Sequence, residues 1–377
     1  MTAPPVRDDL AGLEGYHSPQ VAVRVRLNTN ESPYPPPPAW RDAFLEEVAT
    51  LPLHRYPDRS AAGLRAALGE LHGVGPEQVF AANGSNEVLQ ALCLAYGGRG
   101  RAAAAFEPTY ALHSHIARVT GTEVAVGERR PDFSLDLDEV RRVLSATAPA
   151  ITFLCSPNNP TGTVDRAEDT RAVVAAAPGL VVVDEAYGQF APRSSLDDVV
   201  DDGPLVVVRT FSKTWALAGL RLGYCVAPAR VVAALEGVTL PYHLDAAKQA
   251  AGRLALRFAA EMEARVATLV AERERLARAL AALPVDLWPS GANFILFRPR
   301  HRDGDEVWQG LVDRSVLVRN CASWPRLAGC LRVTVGRPDE DDAFVAALTE
   351  MLSTAPAGAG APPRRGGGDG APPGGRT

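Results

Sequence analysis

The stretch VVVRTFSKTWALAGLRLGY, from Val206 to Tyr224, places one lysine, Lys213, directly after an apolar, β-branched run. A lysine at the exit of a strand often lies along apolar surface with its amine in water. A partly desolvated lysine near other cations instead has a lowered pKa, and its neutral amine can bond covalently to an aldehyde. The segment alone leaves both interpretations open.

Asp184 ends the apolar run LVVVDEA (180–186) and raises the same problem with the opposite charge. A carboxylate at the end of a buried run is costly unless it has a cationic or proton-donating partner. A structural ion pair would satisfy this carboxylate, and so would a ligand with a protonated nitrogen.

Two polar turns also follow apolar runs. Gly84 and Ser85, in NGSNEVLQAL, open a predicted helix, and the free N–H groups of a helix start suit a phosphate. A serine or asparagine there can equally be an ordinary N-cap. Asn159 lies in SPNNPTG, whose composition is typical of a turn. Each feature has a structural explanation when it is taken alone.

Taken together, the four features match the needs of one cofactor, pyridoxal phosphate. It offers an aldehyde to a lysine and a pyridine nitrogen to a carboxylate. It also has a ring hydroxyl for asparagine and tyrosine donors, and a phosphate for a helix start and an arginine. Their joint occurrence indicates this cofactor more strongly than four unrelated structural roles.

The apolar runs in front of these residues predict the fold. AITFLCS (150–156), LVVVDEA and LVVVRTFS (205–212) are apolar without alternation, as strands covered by helices on both faces should be. Helical patterns separate them, so we predict an α/β protein with a large domain built on a mainly parallel, helix-wrapped sheet. In such sheets ligands bind at the carboxyl ends of the strands. Shorter runs near GANFILFRP, SVLVRN and LRVTVG predict a smaller α+β domain.

Composition changes along the chain predict its segments. ESPYPPPPAW (31–40) should be an extended, polyproline-like arm. The Ala- and Glu-rich segment after Leu244 should be one long helix or two stacked helices. The predicted segments are an N-terminal arm with part of the small domain (1–45), a large cofactor-binding domain (46–243), an interdomain helical segment (244–283), a small C-terminal domain (284–352) and a disordered tail (353–377).

Overall composition limits the partners. The net charge of −5, with no cluster of basic and aromatic residues, argues against nucleic acid and favours a small molecule. We expect a cytoplasmic protein without a membrane partner, because no apolar run has the length of a membrane span or a secretion signal. The five scattered cysteines indicate reduced core thiols, and His113 and His115 would point to different helix faces, so no metal site is expected.

The ordered motifs resemble those of fold-type I, class II pyridoxal-phosphate aminotransferases, and within them most closely the histidinol-phosphate aminotransferases. The resemblance extends over nearly the whole chain. The motifs that carry it are LNTNESPYPPPP, HRYPDRS, AANGSNEVLQ, SPNNPTGT, VVVDEAYGQF, RTFSK with AGLRLGY, PYHL, PSGANFILF, VLVRN and LRVTVG.

This resemblance implies a role for each matching residue. Lys213 would bind the cofactor covalently and move a proton, Asp184 would pair with the pyridine nitrogen, and Tyr187 would donate to the ring hydroxyl. These three are the expected catalytic residues. The other expected cofactor contacts are Tyr110 on the ring, Asn159 at the hydroxyl, Gly84, Ser85, Asn86, Ser212 and Arg221 at the phosphate, and Tyr56 from a neighbouring subunit.

The resemblance also implies the reaction. An aminotransferase of this kind would move the amino group of L-histidinol phosphate to 2-oxoglutarate, giving imidazole acetol phosphate and L-glutamate, in histidine biosynthesis. Arg332 would bind the α-carboxylate of glutamate and Arg319 the phosphate of the donor, with Tyr16 and Asn30 nearby, and a homodimer would share its active sites. A guanidinium fork suits such anions better than a lysine does.

Three positions depart from the family pattern next to its substrate pocket or the supports of that pocket: Trp215 after the lysine, Gly291 in PSGANF, and Trp324 before the strand that carries Arg332. These differences leave open an alternative, a related enzyme with the same fold whose amino donor is an aromatic amino acid or a specialised-metabolite precursor. A decarboxylase of the threonine-phosphate type would retain the same lysine and aspartate. A cofactor-binding sensor is less compatible, because no segment is long enough for an attached DNA-binding domain.

Overall fold

The computed structural model describes residues 4–13, 15 and 21–353. The predicted disordered tail therefore lies outside the described residues, except for Ser353, which ends a helix.

Twelve strands in this part of the chain form two sheets. They are β1 (Val25–Leu27), β2 (Val79–Ala82), β3 (Ala102–Glu107), β4 (Glu123–Glu128), β5 (Ile151–Cys155), β6 (Leu180–Asp184), β7 (Leu205–Thr210), β8 (Gly223–Val226), β9 (Val285–Leu287), β10 (Phe294–Pro299), β11 (Val316–Asn320) and β12 (Leu331–Thr334).

Eleven α-helices pack around the sheets in the described ranges. They are α1 (Pro38–Thr50), α2 (Ala62–His72), α3 (Ser85–Tyr96), α4 (Ala111–Val119), α5 (Leu137–Thr147), α6 (Ala167–Ala176), α7 (Ala229–Val238), α8 (Ala246–Ala255), α9 (Ala259–Ala281), α10 (Gly304–Asp313) and α11 (Pro338–Ser353).

The larger sheet has the strand order β2-β8-β7-β6-β5-β3-β4, and only β8 runs antiparallel to its neighbours. Its central strands are buried on both faces, because Val182 packs into the core beneath α3 and α7 while Val181 and Val183 pack into the core beneath α5 and α6. The mainly parallel, helix-wrapped sheet that the apolar runs predict is confirmed.

The smaller sheet has the order β1-β11-β12-β10-β9. Strand β1 comes from the N-terminal part of the chain and pairs in parallel with β11, whereas the remaining pairs are antiparallel. Helices α9, α10 and α11 cover one face and bury Phe297 and Phe344. The predicted smaller α+β unit is therefore present.

Two local predictions need detail or correction. The predicted helical segment after Leu244 forms two helices, α8 and α9, joined by a 3₁₀ turn at Leu256–Phe258. Residues 31–37 of the proline-rich arm are not helical, but the prediction is wrong for Pro38–Trp40, which form the first turn of α1. Proline fits there because the first helical N–H has no partner within the helix.

The apolar residues go into the interior of the protein. All five cysteines are buried free thiols, as the sequence predicts. Among the described helices, none combines the length and apolar character that spanning a bilayer requires.

A buried ion pair fixes the loop that follows β5. Arg129 and Asp165 are both fully enclosed, with Nη1 donating to Oδ1 at 2.6 Å and Nη2 to Oδ2 at 3.0 Å. Burial lowers the pKa of Arg129, but the neighbouring Asp165 more than offsets this and raises that pKa above its ordinary value. The backbone N–H of Asp165 also donates to Ser156 Oγ. The pair therefore ties the end of β4 to the SPNNPTG loop.

We predict that Asp165→Ala lowers the free energy of unfolding by about 3–5 kcal/mol, because it leaves the guanidinium of Arg129 buried and unpaired. Urea unfolding measures the change. Glu168→Ala is the matched control, since it breaks an ion pair of Arg166 in which both side chains are more than half exposed. Equal, small effects of the two substitutions would contradict the structural role of the buried pair.

Candidate active site

A cavity of about 340 Å³ lies at the carboxyl ends of β5, β6 and β7, where these strands face the N-terminal segment and β12. This is the edge at which open α/β sheets bind ligands. The cavity is lined by Asn28, Thr29, Asn30, Glu31, Ser85, Asn86, Tyr110, Cys155, Asn159, Asp184, Ala186, Tyr187, Thr210, Ser212, Lys213, Ala218, Gly219, Arg221 and Arg332.

Lys213 lies in the loop after β7 and directs its amine into the cavity. Nζ donates to the carbonyl oxygen of Thr29 at 2.9 Å and lies 5.8 Å from the centre of the Tyr187 ring. The surrounding protein and the nearby Arg332 lower the pKa of Lys213 to about 7, although Glu31 acts in the opposite direction. A large fraction of this amine is therefore neutral and nucleophilic near neutral pH.

Asp184, at the end of β6, is held by two donors. Its Oδ1 accepts from the N–H of Ala186 at 3.0 Å, and its Oδ2 lies 3.0 Å from Nε2 of His113 on α4. This contact is a hydrogen bond to an ionised carboxylate when Nε2 carries the proton, because such a carboxylate can only accept. His113 is fully buried and stacks on Phe153 with 4.9 Å between the ring centres. The carboxylate is thus fixed in orientation at the cavity wall.

An anion site forms where α3 begins. Gly84 precedes the helix with φ +82°, and a Cβ there would come within 2.8 Å of Nη2 of Arg221. Arg221 also donates from Nη1 to Ser212 Oγ at 3.1 Å, so its guanidinium lies close to the helix start. Ser85 and Asn86 supply the first helical residues. A helix N-terminus, two serines and an arginine together suit a phosphate.

Polar side chains surround the space between the amine and the carboxylate. The Tyr187 hydroxyl accepts from Asn30 Nδ2 at 2.9 Å, and burial raises the pKa of Tyr187, so the hydroxyl keeps its proton. Tyr110 lies at the cavity wall and donates to Asn86 Oδ1 at 3.2 Å. Asn159 Oδ1 accepts from Nη1 of Arg332. These donors and acceptors all border the same cavity.

Two arginines occupy directly opposed positions on β11 and β12. Arg319 pairs with Arg332 in the antiparallel ladder, and both side chains are buried. Arg332 lines the cavity and, within the described residues, donates to neutral acceptors, Asn159 Oδ1 and the carbonyl oxygen of Asn28. Its charge is therefore not matched by a protein carboxylate in that part of the chain, which favours an anionic ligand.

The structure does not bring every predicted site residue into the cavity of its own chain. Tyr56 is 80% exposed and stacks on Tyr242, with 4.5 Å between the ring centres, outside the cavity. Arg319 lies beside the cavity lining, next to Arg332, with its guanidinium 5.0 Å from the centre of the Trp324 ring. Tyr16 lies outside the described residues.

The departures from the family pattern also have definite places. The proximity of Trp215 to Lys213 in the sequence suggests that Trp215 borders the cavity, but it does not. It packs against Phe211 in the core beneath α1 and α8. A Cβ on Gly291 would point into the side chain of Val164, at 2.3 Å from Cγ2, so a larger residue cannot enter without a shift. Of the three departures, only Trp324 contacts a predicted substrate residue.

His113 is a functional residue that the sequence analysis does not identify, since it considers His113 only as a metal ligand. The one available signal is that Asp184 needs a cationic or proton-donating partner, which does not by itself point to a histidine on the helix after β3. The carbonyl oxygens of Asn28 and Thr29 were also missed, because a backbone acceptor leaves no signal in residue type.

The donor set fits pyridoxal phosphate. The neutral-prone amine of Lys213 faces the same space as the oriented carboxylate of Asp184 and the hydroxyl of Tyr187. Gly84 has no side chain, and a Cβ there would clash with Arg221. The absence of a side chain at this position leaves room for a phosphate beside the start of α3. Each chemical group of this cofactor has a complementary group in the cavity.

The lowered pKa of Lys213 predicts the pH dependence of its reaction with an aldehyde. Below pH 7 the amine is protonated, so the rate of covalent capture of pyridoxal phosphate by the cofactor-free protein should fall about tenfold per pH unit, and above pH 7 it should level off. Borohydride reduction and peptide mass spectrometry measure the adduct.

Lys248 is the built-in reference for this experiment, because it is the only other lysine of the chain. Arg332→Leu removes a cation that lowers the pKa of Lys213, and it should shift the midpoint upward. A Lys213 labelling rate that keeps rising through pH 9 would show that the amine is an ordinary one.

Comparison with known proteins agrees with this geometry. The sequence model of the aminotransferase class I and II family matches residues 23–348. Histidinol-phosphate aminotransferase of Frankia casuarinae is 46% identical over 94% of this chain and 92% of its own length. The same enzyme of Mycobacterium marinum is 44% identical over 95% of both chains. The crystal structure of histidinol-phosphate aminotransferase from Sinorhizobium meliloti, in complex with pyridoxal-5'-phosphate, shares the fold with a TM-score of 0.80 at 23% identity, covering 88% of this chain and 91% of that one. The chain belongs to the aminotransferase class I and II family.

Proposed function

We propose that the protein is a histidinol-phosphate aminotransferase, with pyridoxal phosphate as cofactor, and that it moves the amino group of L-histidinol phosphate to 2-oxoglutarate. The observation that carries the proposal is the buried guanidinium of Arg332, which lines the same cavity as Lys213 and lies directly opposite the buried Arg319 on the neighbouring strand. A donor with a phosphate and an acceptor with carboxylates both supply an anion that a guanidinium group can bind. The names of the relatives at 44–46% identity support the same substrate.

The cofactor, when bound, supplies an electron sink for the carbon that carries the amino group. Lys213 Nζ accepts the proton from that carbon as a neutral amine, because its pKa is lowered to about 7. Asp184 would pair with the pyridine nitrogen and keep it protonated, and His113 holds the carboxylate of Asp184 in place through Nε2. Tyr187 and Asn159 would hold the ring hydroxyl and so orient the cofactor relative to the amine.

The arginines orient the two substrates in turn. Arg332 binds the α-carboxylate of glutamate or 2-oxoglutarate, and Arg319 binds the phosphate of the amino donor. Asn30 belongs to the N-terminal segment, donates to Tyr187 and forms part of the cavity wall on that side. One pocket can thus serve a donor without a carboxylate and an acceptor without a phosphate.

Donor kinetics test this proposal. L-histidinol phosphate should be a better donor than L-histidinol or phenylalanine, with glutamate formation from 2-oxoglutarate as the assay. Arg319→Ala should raise KM for L-histidinol phosphate by roughly 10- to 100-fold, the value of a charge-assisted hydrogen bond, and change KM for L-histidinol little. Arg298→Ala, on neighbouring β10 and partly exposed beside Asp286, is the control.

Rival functions give different results in that assay. Indifference to L-histidinol phosphate with good turnover of an aromatic amino acid would overturn the proposed donor. Release of carbon dioxide without a keto-acid requirement would identify a decarboxylase instead.

We also propose that the enzyme is a homodimer in which Tyr56 reaches the phosphate site of the partner. Tyr56 lies beside Tyr242 in an exposed region, and Leu53 and Leu240 are each more than three-quarters exposed near them in sequence. Exposed apolar residues at this density mark an interaction surface.

A mixture of two inactive variants tests the shared site. In a heterodimer of Lys213→Ala and Tyr56→Ala chains, one site should regain both Lys213 and Tyr56, so mixing should restore activity at limiting pyridoxal phosphate. If Tyr56 served its own chain, the same mixture would stay as impaired as its parents.

A further inference from the structure

Trp324 occupies the connection between β11 and β12, residues 321–330, and contacts both the smaller sheet and a loop of the larger domain. Its ring centre lies 5.0 Å from Cζ of Arg319, and its Nε1 donates to the carbonyl oxygen of Thr109 at 3.2 Å. The side chain is buried, within a small cluster that includes Phe133 and Leu327. Trp324 thereby joins β11, the strand of Arg319, to the loop between β3 and α4.

The acceptor of the Trp324 hydrogen bond belongs to a rigid part of the cavity wall. Thr109 directly precedes Tyr110, and its Oγ1 donates to Asn158 Oδ1 at 2.8 Å. Asn158 Nδ2 in turn donates to the carbonyl oxygen of Pro108 at 2.9 Å. This buried network fixes the loop beside Asn159, so the indole ring is anchored to a part of the structure that does not depend on Arg319.

Arg319 lies opposite Arg332, and like charges at directly opposed positions repel one another. A guanidinium that lies over an aromatic face is attracted to the ring and loses rotational freedom. The Trp324 ring can therefore hold Arg319 near Arg332 in a direction suited to an anion.

We propose that Trp324 is a positioning residue for substrate specificity: it holds the guanidinium of Arg319 in the orientation that binds the phosphate of the amino donor. This inference rests on the proposed function, since it concerns the same phosphate. It assigns a role to a position at which the chain departs from its family.

The connection keeps other anchors when Trp324 is changed. Arg326 donates to the carbonyl oxygens of Arg129 and Arg130 and packs on Phe133, and the N–H of Cys321 donates to the carbonyl oxygen of Cys330 at 2.9 Å. Substitution of Trp324 should therefore leave the fold intact and act on Arg319.

The test compares Trp324→Leu with Trp324→Phe in the cofactor-loaded enzyme. Trp324→Leu should raise KM for L-histidinol phosphate roughly fivefold to thirtyfold, the range of a desolvated cation–π contact, with a kcat within about twofold of wild type. KM for L-histidinol, which has no phosphate, should stay unchanged. Trp324→Phe keeps an aromatic face and should lose less. Trp288→Leu is the matched control, because Trp288 packs on the same cluster but contacts Arg298 instead.

A double-substitution cycle separates this inference from the function on which it rests. In the Arg319→Ala background, Trp324→Leu should add no further rise in KM for L-histidinol phosphate, because the residue it positions is gone. Additive effects, or equal effects on donors with and without phosphate, would overturn the positioning role. If wild type and Arg319→Ala themselves show no phosphate preference, the proposed function fails together with the inference.

Discussion

The concentration of positive charge around one buried space is the constraint on which the rest of the site depends. Lys213, Arg221 and Arg332 all line the cavity, and the buried carboxylate of Asp184 is already held by His113 and Ala186. Burial lowers the pKa of Lys213 most, and Arg332 and Arg221 lower it further, which favours the nucleophilic, neutral amine. The same positive charges favour anions, which the phosphate of the cofactor and the phosphate or carboxylate of the substrates provide. The arginines therefore contribute both to the activation of the lysine and to the selection of anionic ligands.

Much of this arrangement could be predicted because parallel strands end at one edge of the sheet. Asp184 ends one buried strand and the loop with Lys213 follows the next, and the convergence of the two residues follows from the topology of the sheet. The anion site at Ser85 was predictable for a similar reason, since a glycine before a helix start is a local signal. Contacts that depend on two distant segments, such as His113 with Asp184, leave no such local signal.

Trp215 shows where sequence proximity misleads. It lies two residues after Lys213, yet the loop turns between them, and Ala216 next to it has a φ of +55°. The indole packs beneath α1 and α8, on the side of the loop away from the amine. Trp324, more than a hundred residues from Lys213, instead contacts Arg319, because it lies in the connection that follows β11. Which aromatic residue contacts a predicted substrate residue is thus decided by the fold and not by distance from Lys213 along the chain.

In the proposed reaction, this cavity accepts an amino group from a phosphorylated donor and passes it to 2-oxoglutarate. A single-turnover experiment tests this reaction most directly: the cofactor-loaded protein is mixed with L-histidinol phosphate in the absence of a keto acid, and the absorbance of the bound cofactor is followed. We expect the spectrum to convert fully and 2-oxoglutarate then to restore it, with one glutamate formed per chain. An unchanged spectrum with L-histidinol phosphate, together with full conversion by phenylalanine, would contradict it.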